Sequence, residues 1–152
     1  MVGPVYVGVV GASRATEQDL LDAEQVGRLL GERGAIVVCG GRGGVMAAVS
    51  KGCAEAGGAV IGMLPGDDRS DANEWVSYAI PTGLGELRNG LIVRTADVII
   101  AVGGSYGTLS EVALALQAGM TVFGLHTWPI EGITPVSTPA DAVDRALGSV
   151  VG

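Results

Sequence analysis

Three glycine-rich segments each follow a short apolar run, and they hold the residues best suited to phosphate chemistry. The first glycine turn is Gly11-Ala12-Ser13-Arg14, the second is Gly40-Gly41-Arg42-Gly43-Gly44, and the third is Gly103-Gly104-Ser105-Tyr106-Gly107-Thr108. Glycine lets backbone amides approach a ligand without a Cβ in the way. A helix that begins directly after such a turn adds the partial positive charge of its N-terminus. Each turn has two interpretations, a phosphate-binding loop or a tight corner, and the three together favour phosphate binding.

Arginines in the predicted strand-end loops point to the same chemistry. Arg14, Arg42, Arg69 and Arg88 lie in or just after these loops, in a chain with a formal charge of −7. The planar guanidinium can bind phosphate or carboxylate through two parallel hydrogen bonds. The alternative is that they are solvated loop residues. We favour Arg88 and Arg42 as ligand contacts, then Arg14, and place Arg69 last because neighbouring aspartates can neutralise it.

A single acid, Glu111, follows the third glycine turn in a predicted helix. A carboxylate near a helix N-terminus gains from the helix dipole, so we expect it to stay ionised. Beside a bound ribose it could stabilise an oxocarbenium-like transition state or hold the attacking water. The alternative is an ordinary acid that only complements the dipole. Thr108 likewise either touches phosphate or caps the helix.

Several other kinds of site are excluded by motif and charge. The first glycine turn lacks the G-x-G-x-x-G spacing of dinucleotide-binding proteins, and the chain has no G-x-x-x-x-G-K-[ST] phosphate loop. The acidic charge argues against nucleic-acid partners and against an anionic membrane surface. Cys39, Cys53 and the lone His126 have no metal-ligand spacing. We therefore expect no metal site, and two reduced cysteines that fill the core.

Short β-branched runs alternate with segments of helical period, which predicts a parallel α/β sheet. The fourth helix, which follows Gly107, is predicted to bury a stripe of Leu109, Val112, Ala113 and Leu116. The predicted strands are Val5–Val10, Ile36–Cys39, Ala59–Leu64, Val76–Ile80, Val98–Val102, Thr121–Leu125 and Ile133–Val136. The other predicted helices are Glu17–Arg33, Gly44–Ala56, Glu86–Thr95 and one from Thr138-Pro139 to near Leu147.

Residues 1–152 are therefore expected to form one doubly wound domain, a mainly parallel sheet with helices on both faces. Its ligand site is predicted beyond the carboxyl ends of the strands. No apolar run approaches the roughly 20 residues of a membrane span. No secretory leader is visible, so we expect a cytoplasmic protein without a membrane partner.

Two stretches of the chain resemble a known superfamily. They are Cys39–Gly66, "CGGRGGVMAAVSKGCAEAGGAVIGMLPG", and Leu87–Glu111, "LRNGLIVRTADVIIAVGGSYGTLSE". Both resemble the Lonely Guy and "lysine decarboxylase-like" superfamily of Rossmann-like proteins, and the likeness extends across nearly the whole chain. Within it, the chain is most similar to the short branch that resembles molybdenum cofactor carrier proteins.

This resemblance implies two functions. The Lonely Guy enzymes release a base from a nucleoside 5′-monophosphate, and their signature P-G-G-x-G-T-x-x-E would make Arg88 and Glu111 the catalytic pair. The carrier-like branch implies binding of molybdopterin or another phosphorylated, nucleotide-like ligand, and the superfamily implies a homo-oligomer. Here Val102 replaces the proline, and Ser105-Tyr106 stand where the enzymes have one residue. This longer turn is closer to the carrier-like branch, so we expect ligand binding, with hydrolysis as the alternative.

Overall fold

The computed structural model describes residues 3–150, which form a parallel α/β sheet covered by helices on both faces. Within those residues the strands are β1 Tyr6–Gly11, β2 Ile36–Cys39, β3 Ala59–Leu64, β4 Tyr78–Pro81, β5 Val98–Val102, β6 Val122–Leu125 and β7 Ile133–Val136. The sheet order is β4-β3-β2-β1-β5-β6-β7, and every neighbouring pair is parallel. The strand order reverses between β1 and β5, where a doubly wound sheet opens its ligand crevice. The predicted fold class is confirmed.

Two helical layers enclose the sheet. The helices in the described residues are α1 Glu17–Glu32, α2 Val45–Glu55, α3 Arg88–Thr95, α4 Tyr106–Gln117 and α5 Pro139–Val150. The apolar residues of α1, α2 and α5 pack into one cluster against the sheet, and those of α3 and α4 pack into a second cluster on the opposite face. None of these helices is long and apolar enough to cross a bilayer.

The predicted helix starts follow from capping chemistry. Thr16 caps α1 by accepting a hydrogen bond from the Asp19 amide at 3.1 Å, and Thr138 accepts one from the Asp141 amide at 3.0 Å at the start of α5. Such side chains satisfy amides that have no partner within the helix. The last helix nevertheless continues to Val150, beyond the predicted end near Leu147.

The α1 and α2 helices cross in very close contact. A Cβ on Gly27 would overlap the carbonyl of Val49, and a Cβ on Gly52 would overlap the carbonyl of Glu24. Glycine is therefore required at both positions for the two backbones to approach, although it is a weak helix former. This packing holds α2 directly against α1 on one face of the sheet.

Two predicted elements begin two residues later than expected. The strand expected at Val76–Ile80 begins at Tyr78, because Asn73 accepts a hydrogen bond from the Trp75 amide on its side chain and one from the Val76 amide on its carbonyl. These bonds hold the chain in a turn just before the strand. The helix expected at Glu86–Thr95 begins as a 3₁₀ turn over Gly85–Leu87 and becomes α-helical at Arg88.

The predicted core stripe of α4 was wrong in register. The buried positions are Thr108, Glu111, Val112 and Ala115, whereas Ala113 is exposed and Leu109 and Leu116 are half-buried. The period of the helix was right, but the face that packs on the sheet also carries the polar residues that reach the carboxyl edge. Apolar periodicity alone could not show that a glutamate belongs to the buried face.

Candidate functional site

One pocket opens at the carboxyl edge of the sheet, at the reversal of strand order between β1 and β5. Its volume is about 510 Å³, within the usual range of about 300–1,000 Å³ for small-molecule sites. The residues that line it are Val9, Val10, Gly11, Ser13, Gly40, Arg42, Gly43, Met46, Glu86, Arg88, Asn89, Ser105, Gly107, Thr108 and Glu111. All three glycine turns contribute to this "edge pocket", as do both arginines that the sequence favoured.

The second glycine turn lies beside the first because its last residue makes a backbone contact that leaves no room for a Cβ. Gly44, at the N-cap of α2, has φ +63°, and a Cβ there would overlap the carbonyl oxygens of Ala12 and Ser13. The Val45 amide donates to the Ala12 carbonyl at 3.0 Å. The first and second glycine turns are therefore in direct contact, and α2 begins beside both.

The third glycine turn places the N-terminus of α4 on the other side of the pocket. Gly103 has φ +64°, and a Cβ there would overlap the Asp19 carboxylate. Ser105 is the N-cap: its Oγ accepts from the Thr108 amide at 3.4 Å and lies 3.2 Å from Thr108 Oγ1. The first amides of a helix have no intrahelical acceptor, so α2 and α4 both bring free donors and positive dipole ends to this edge.

Arg88 is anchored between two strand ends. The residue is only 9% exposed, and its Nη1 donates to the carbonyls of Gly40 at 2.9 Å and Met63 at 2.8 Å. Any side chain at Gly40 would collide with this guanidinium. The Nε of Arg88 is buried and has no hydrogen-bond partner among the described residues. A buried donor that has no acceptor is costly to the folded protein.

Glu111 lies on the buried face of α4 and is also only 9% exposed. Burial raises the pKa of Glu111 to about 8, Arg88 opposes this rise and Glu86 adds to it. The expectation of an ionised acid is therefore corrected: at neutral pH the free protein holds Glu111 mainly as the neutral carboxylic acid. The dipole argument failed because Glu111 lies on the sheet-facing side, where desolvation outweighs the helix N-terminus.

Some predicted ligand residues lie outside the lining of the edge pocket. Arg14 lines a separate groove between α1 and α2, and Arg69 lines another near β4. The Tyr106 side chain is exposed and stacks on Trp128. Gly41, Gly44, Gly103 and Gly104 also lie outside the lining of the edge pocket.

The sequence reasoning missed several lining residues, of which Asn89 and Glu86 are the most informative. Asn89 is only 4% exposed and lies three and four residues before the buried Ile92 and Val93 of α3. An amide on the apolar face of a short helix is a recognisable signal of a polar site. Glu86 is exposed at the pocket rim and has no comparable signal in the sequence.

Cys39 and Cys53 are free and buried, as expected. Burial raises the pKa of the Cys53 thiol to about 11 and also raises the pKa of Cys39. In the described part of the chain, no cluster of three or more histidine, cysteine, aspartate or glutamate side chains has the arrangement of a metal site.

The sheet order and the pocket at its reversal define a Rossmann-like α/β protein. Residues 4–146 match the SLOG cluster4 family, and the chain belongs to that family. The predicted Lonely Guy superfamily, with its molybdenum cofactor carrier-like branch, is confirmed by this match and by the relatives described next.

Two solved structures are highly similar along their full length. The molybdenum cofactor binding protein of Rippkaea orientalis has a TM-score of 0.94 at 34% identity, covering 100% of both chains. The Moco carrier protein of Chlamydomonas reinhardtii has a TM-score of 0.88 at 33% identity, covering 98% of both chains. The cytokinin riboside 5′-monophosphate phosphoribohydrolase LOG of Oryza sativa is 33% identical over 83% of this chain, which spans 52% of the rice protein.

Proposed function

We propose that the protein binds a phosphate-bearing, nucleotide-like ligand in the edge pocket, with molybdopterin or the molybdenum cofactor as the leading candidate. One observation carries this proposal: the second and third glycine turns, from opposite sides of the strand-order reversal, line the same 510 Å³ cavity with Arg42 and Arg88. The similarity to structures described as a molybdenum cofactor binding protein and a carrier protein supports the choice of ligand.

The phosphate would lie between the N-termini of α2 and α4. Backbone amides of the second and third glycine turns, the Thr108 hydroxyl and Arg42 supply donors there, and the two helix dipoles favour an anion. Arg42 is exposed and makes no salt bridge within residues 3–150, so it is available to a ligand. The rest of the ligand would extend over Val10 and Met46 toward Asn89 and Glu111.

Titration calorimetry with adenosine 5′-monophosphate and adenosine tests whether the phosphate is recognised. We expect the monophosphate to bind at least tenfold more tightly, because charge-assisted hydrogen bonds to phosphate are among the strong ones. Arg42→Gln should remove most of this difference. The matched control is Arg28→Gln, since Arg28 pairs with Glu32 on the exposed face of α1. Equal binding of nucleoside and monophosphate would contradict the phosphate site.

Isolation of the protein from cells tests the molybdopterin candidate. The purified protein should carry a pterin that becomes fluorescent on oxidation, and Arg88→Ala should lose it. Arg88→Lys is the control, because lysine keeps a positive charge and a donor for the two carbonyls that Arg88 contacts. A protein that arrives without pterin and binds neither pterins nor nucleotides when they are added would contradict this proposal.

The alternative function is hydrolysis of the N-glycosidic bond of a nucleoside 5′-monophosphate. The observation that favours it is the pair of buried side chains, Arg88 and Glu111, at the pocket wall. With a pKa of about 8, Glu111 can be held as an acid that protonates a leaving base or, once ionised beside Arg88, as a carboxylate that stabilises a cationic sugar. The likeness to the rice phosphoribohydrolase supports this alternative.

A panel of nucleoside 5′-monophosphates, assayed for free base and ribose 5-phosphate, tests hydrolysis. Glu111→Gln should abolish release while the monophosphate still binds. Glu55→Gln, at an exposed position at the end of α2, is the matched control. Unchanged turnover in Glu111→Gln, or no turnover of any substrate by the natural protein, would rule this function out.

We also propose that two copies associate through the outer side of α3 and α4. Leu84, Leu87 and Leu91 are exposed along the 3₁₀ turn and α3, and Leu114 is exposed on α4. Every exposed residue of α4 is uncharged, although the chain carries a charge of −7. A leucine-bearing surface whose α4 side carries no charge suits a second copy of an acidic protein, because the negative charges of both copies then stay apart.

A further inference from the structure

The loop that follows β6 runs back over the third glycine turn. β5 and β6 are parallel neighbours, with Val102 opposite Leu125, so the segments that follow them leave the same edge side by side. His126 has φ 52°, a left-handed conformation that is uncommon for a residue other than glycine. This sharp turn brings Trp128 against the third glycine turn rather than toward the edge pocket.

Trp128 makes three contacts with consecutive residues of that turn. Its indole Nε1 donates to the Ser105 carbonyl at 3.1 Å. A Cβ on Gly104 would lie 2.9 Å from Nε1, so glycine lets the indole approach this closely. The Tyr106 ring stacks on the indole with centroids 6.1 Å apart and an interplanar angle of 27°.

The carbonyl oxygen of Ser105, which accepts the Trp128 hydrogen bond, belongs to a residue of the ligand site. The Ser105 carbonyl also accepts from the Leu109 amide at 2.9 Å, the first hydrogen bond within α4. Ser105 Oγ caps the same helix and lines the edge pocket. A shift of the Ser105 peptide therefore moves the cap, the first amides of α4 and Thr108 together.

We propose that Trp128 is a positioning residue for ligand binding: it holds the third glycine turn in place through Ser105 without touching the ligand. The inference rests on the proposed phosphate site. It also explains how the additional residue of this turn is accommodated, because the 83% exposed Tyr106 side chain is held against the indole outside the pocket. A misplacement of about 1 Å at a catalytic group can cost about 100-fold in rate. The position in which Trp128 holds this turn should therefore affect ligand binding measurably.

Trp128→Phe separates the hydrogen bond from the stacking, because phenylalanine retains a ring but has no N–H donor. The chain contains two tryptophans, and Trp75 lines the groove between α1 and α2, so Trp75→Phe is the matched control. Both variants are titrated with adenosine 5′-monophosphate. Amide hydrogen exchange of residues 104–108 and the thermal midpoint are measured in each.

We expect Trp128→Phe to bind the monophosphate about five- to tenfold more weakly, as befits the loss of one hydrogen bond. Exchange of the turn amides should be faster than in Trp75→Phe, with the two thermal midpoints within a few degrees. Affinity within twofold of the control together with unchanged exchange would overturn the inference.

Two further results keep the test decisive. If Trp128→Phe does not fold, Gly104→Ala takes its place, because the added Cβ would lie 2.9 Å from Nε1 and displace the indole from Ser105. Monophosphate affinity and turn-amide exchange unchanged from those of Trp75→Phe would then overturn the inference. If the natural protein binds no phosphate-bearing probe, the proposed function fails. The positioning role of Trp128 is then tested by hydrogen exchange of the turn amides alone. Exchange in Trp128→Phe that equals exchange in Trp75→Phe overturns that role.

Discussion

At the scale of the residue, Arg88 and Glu111 are the two buried ionisable side chains of the edge pocket. Arg88 is fixed by the carbonyls of Gly40 and Met63, and Glu111 is buried on the facing helix. The resemblance to the Lonely Guy signature singled out both positions, but only the fold shows that neither is a surface group. The protonation of Glu111 was predicted incorrectly because burial depends on the register of α4, which the apolar pattern misassigned by one residue.

The raised pKa of Glu111 predicts a specific dependence of stability on pH. Between its ordinary value of 4.5 and about 8, folded Glu111 keeps a proton that the unfolded chain has lost. The free energy of unfolding contributed by this group therefore falls as pH rises through that window. Each pKa unit is worth about 1.4 kcal/mol, so the loss is several kcal/mol in all.

Urea unfolding of the natural protein and of Glu111→Gln between pH 5 and pH 8 measures this contribution. The two proteins should be similar in stability near pH 5, and the variant should become the more stable one toward pH 8. Glu55→Gln should show no such trend. A constant difference between Glu111→Gln and the natural protein across this range would show that Glu111 is not protonated by burial.

At the scale of the element, the order and type of the helices and strands follow closely from the sequence. The bounds of β2, β3, β5 and β7 agree with prediction, and β2 and β5 are continuous runs of buried or β-branched residues. The start of β4 and the 3₁₀ entry to α3 were missed because side-chain hydrogen bonds and turn geometry decide them. Apolar patterning carries no information on either.

The crossing of α1 and α2 gives a prediction that helix propensity alone would reverse. Alanine is the better helix former, but at Gly27 its Cβ would overlap the Val49 carbonyl. We expect Gly27→Ala to lower the free energy of unfolding by about 1–3 kcal/mol, the usual cost of overpacking. Gly148→Ala in α5, where a Cβ meets nothing within 4 Å, should instead raise it by up to about 1 kcal/mol. Denaturant unfolding measures both, and a stabilising Gly27→Ala would contradict the close crossing.

At the scale of the whole molecule, the two faces of the sheet are covered unequally. The α1, α2 and α5 helices cover one face, whereas the other has α4 and the eight-residue α3. The thinner side bears most of the exposed leucines and adjoins the edge pocket, since Glu86 and Arg88 belong to the same segment. The superfamily resemblance implied a homo-oligomer, but the outward direction of the leucines required the fold.

The proposed association predicts different effects for two exposed leucines. Leu87 is 77% exposed on the α3 side, and Leu21 is 60% exposed on α1, on the opposite face of the sheet. Leu87→Glu should convert the assembly to monomers because it would bury a charge on each copy, while Leu21→Glu should leave the mass unchanged. Light scattering coupled to size-exclusion chromatography gives the mass of each variant. A natural protein that is monomeric at high concentration would contradict the association.

The central claim is that phosphate binds where the glycine turns meet. The most direct measurement is a crystal structure of the protein with adenosine 5′-monophosphate. We predict density for the phosphate between Gly40–Gly43 and Ser105–Thr108, within hydrogen-bond distance of the amides at the start of α4. Phosphate bound elsewhere, for example in the groove beside Arg14, or no ligand in the edge pocket at saturating concentration, would contradict the account.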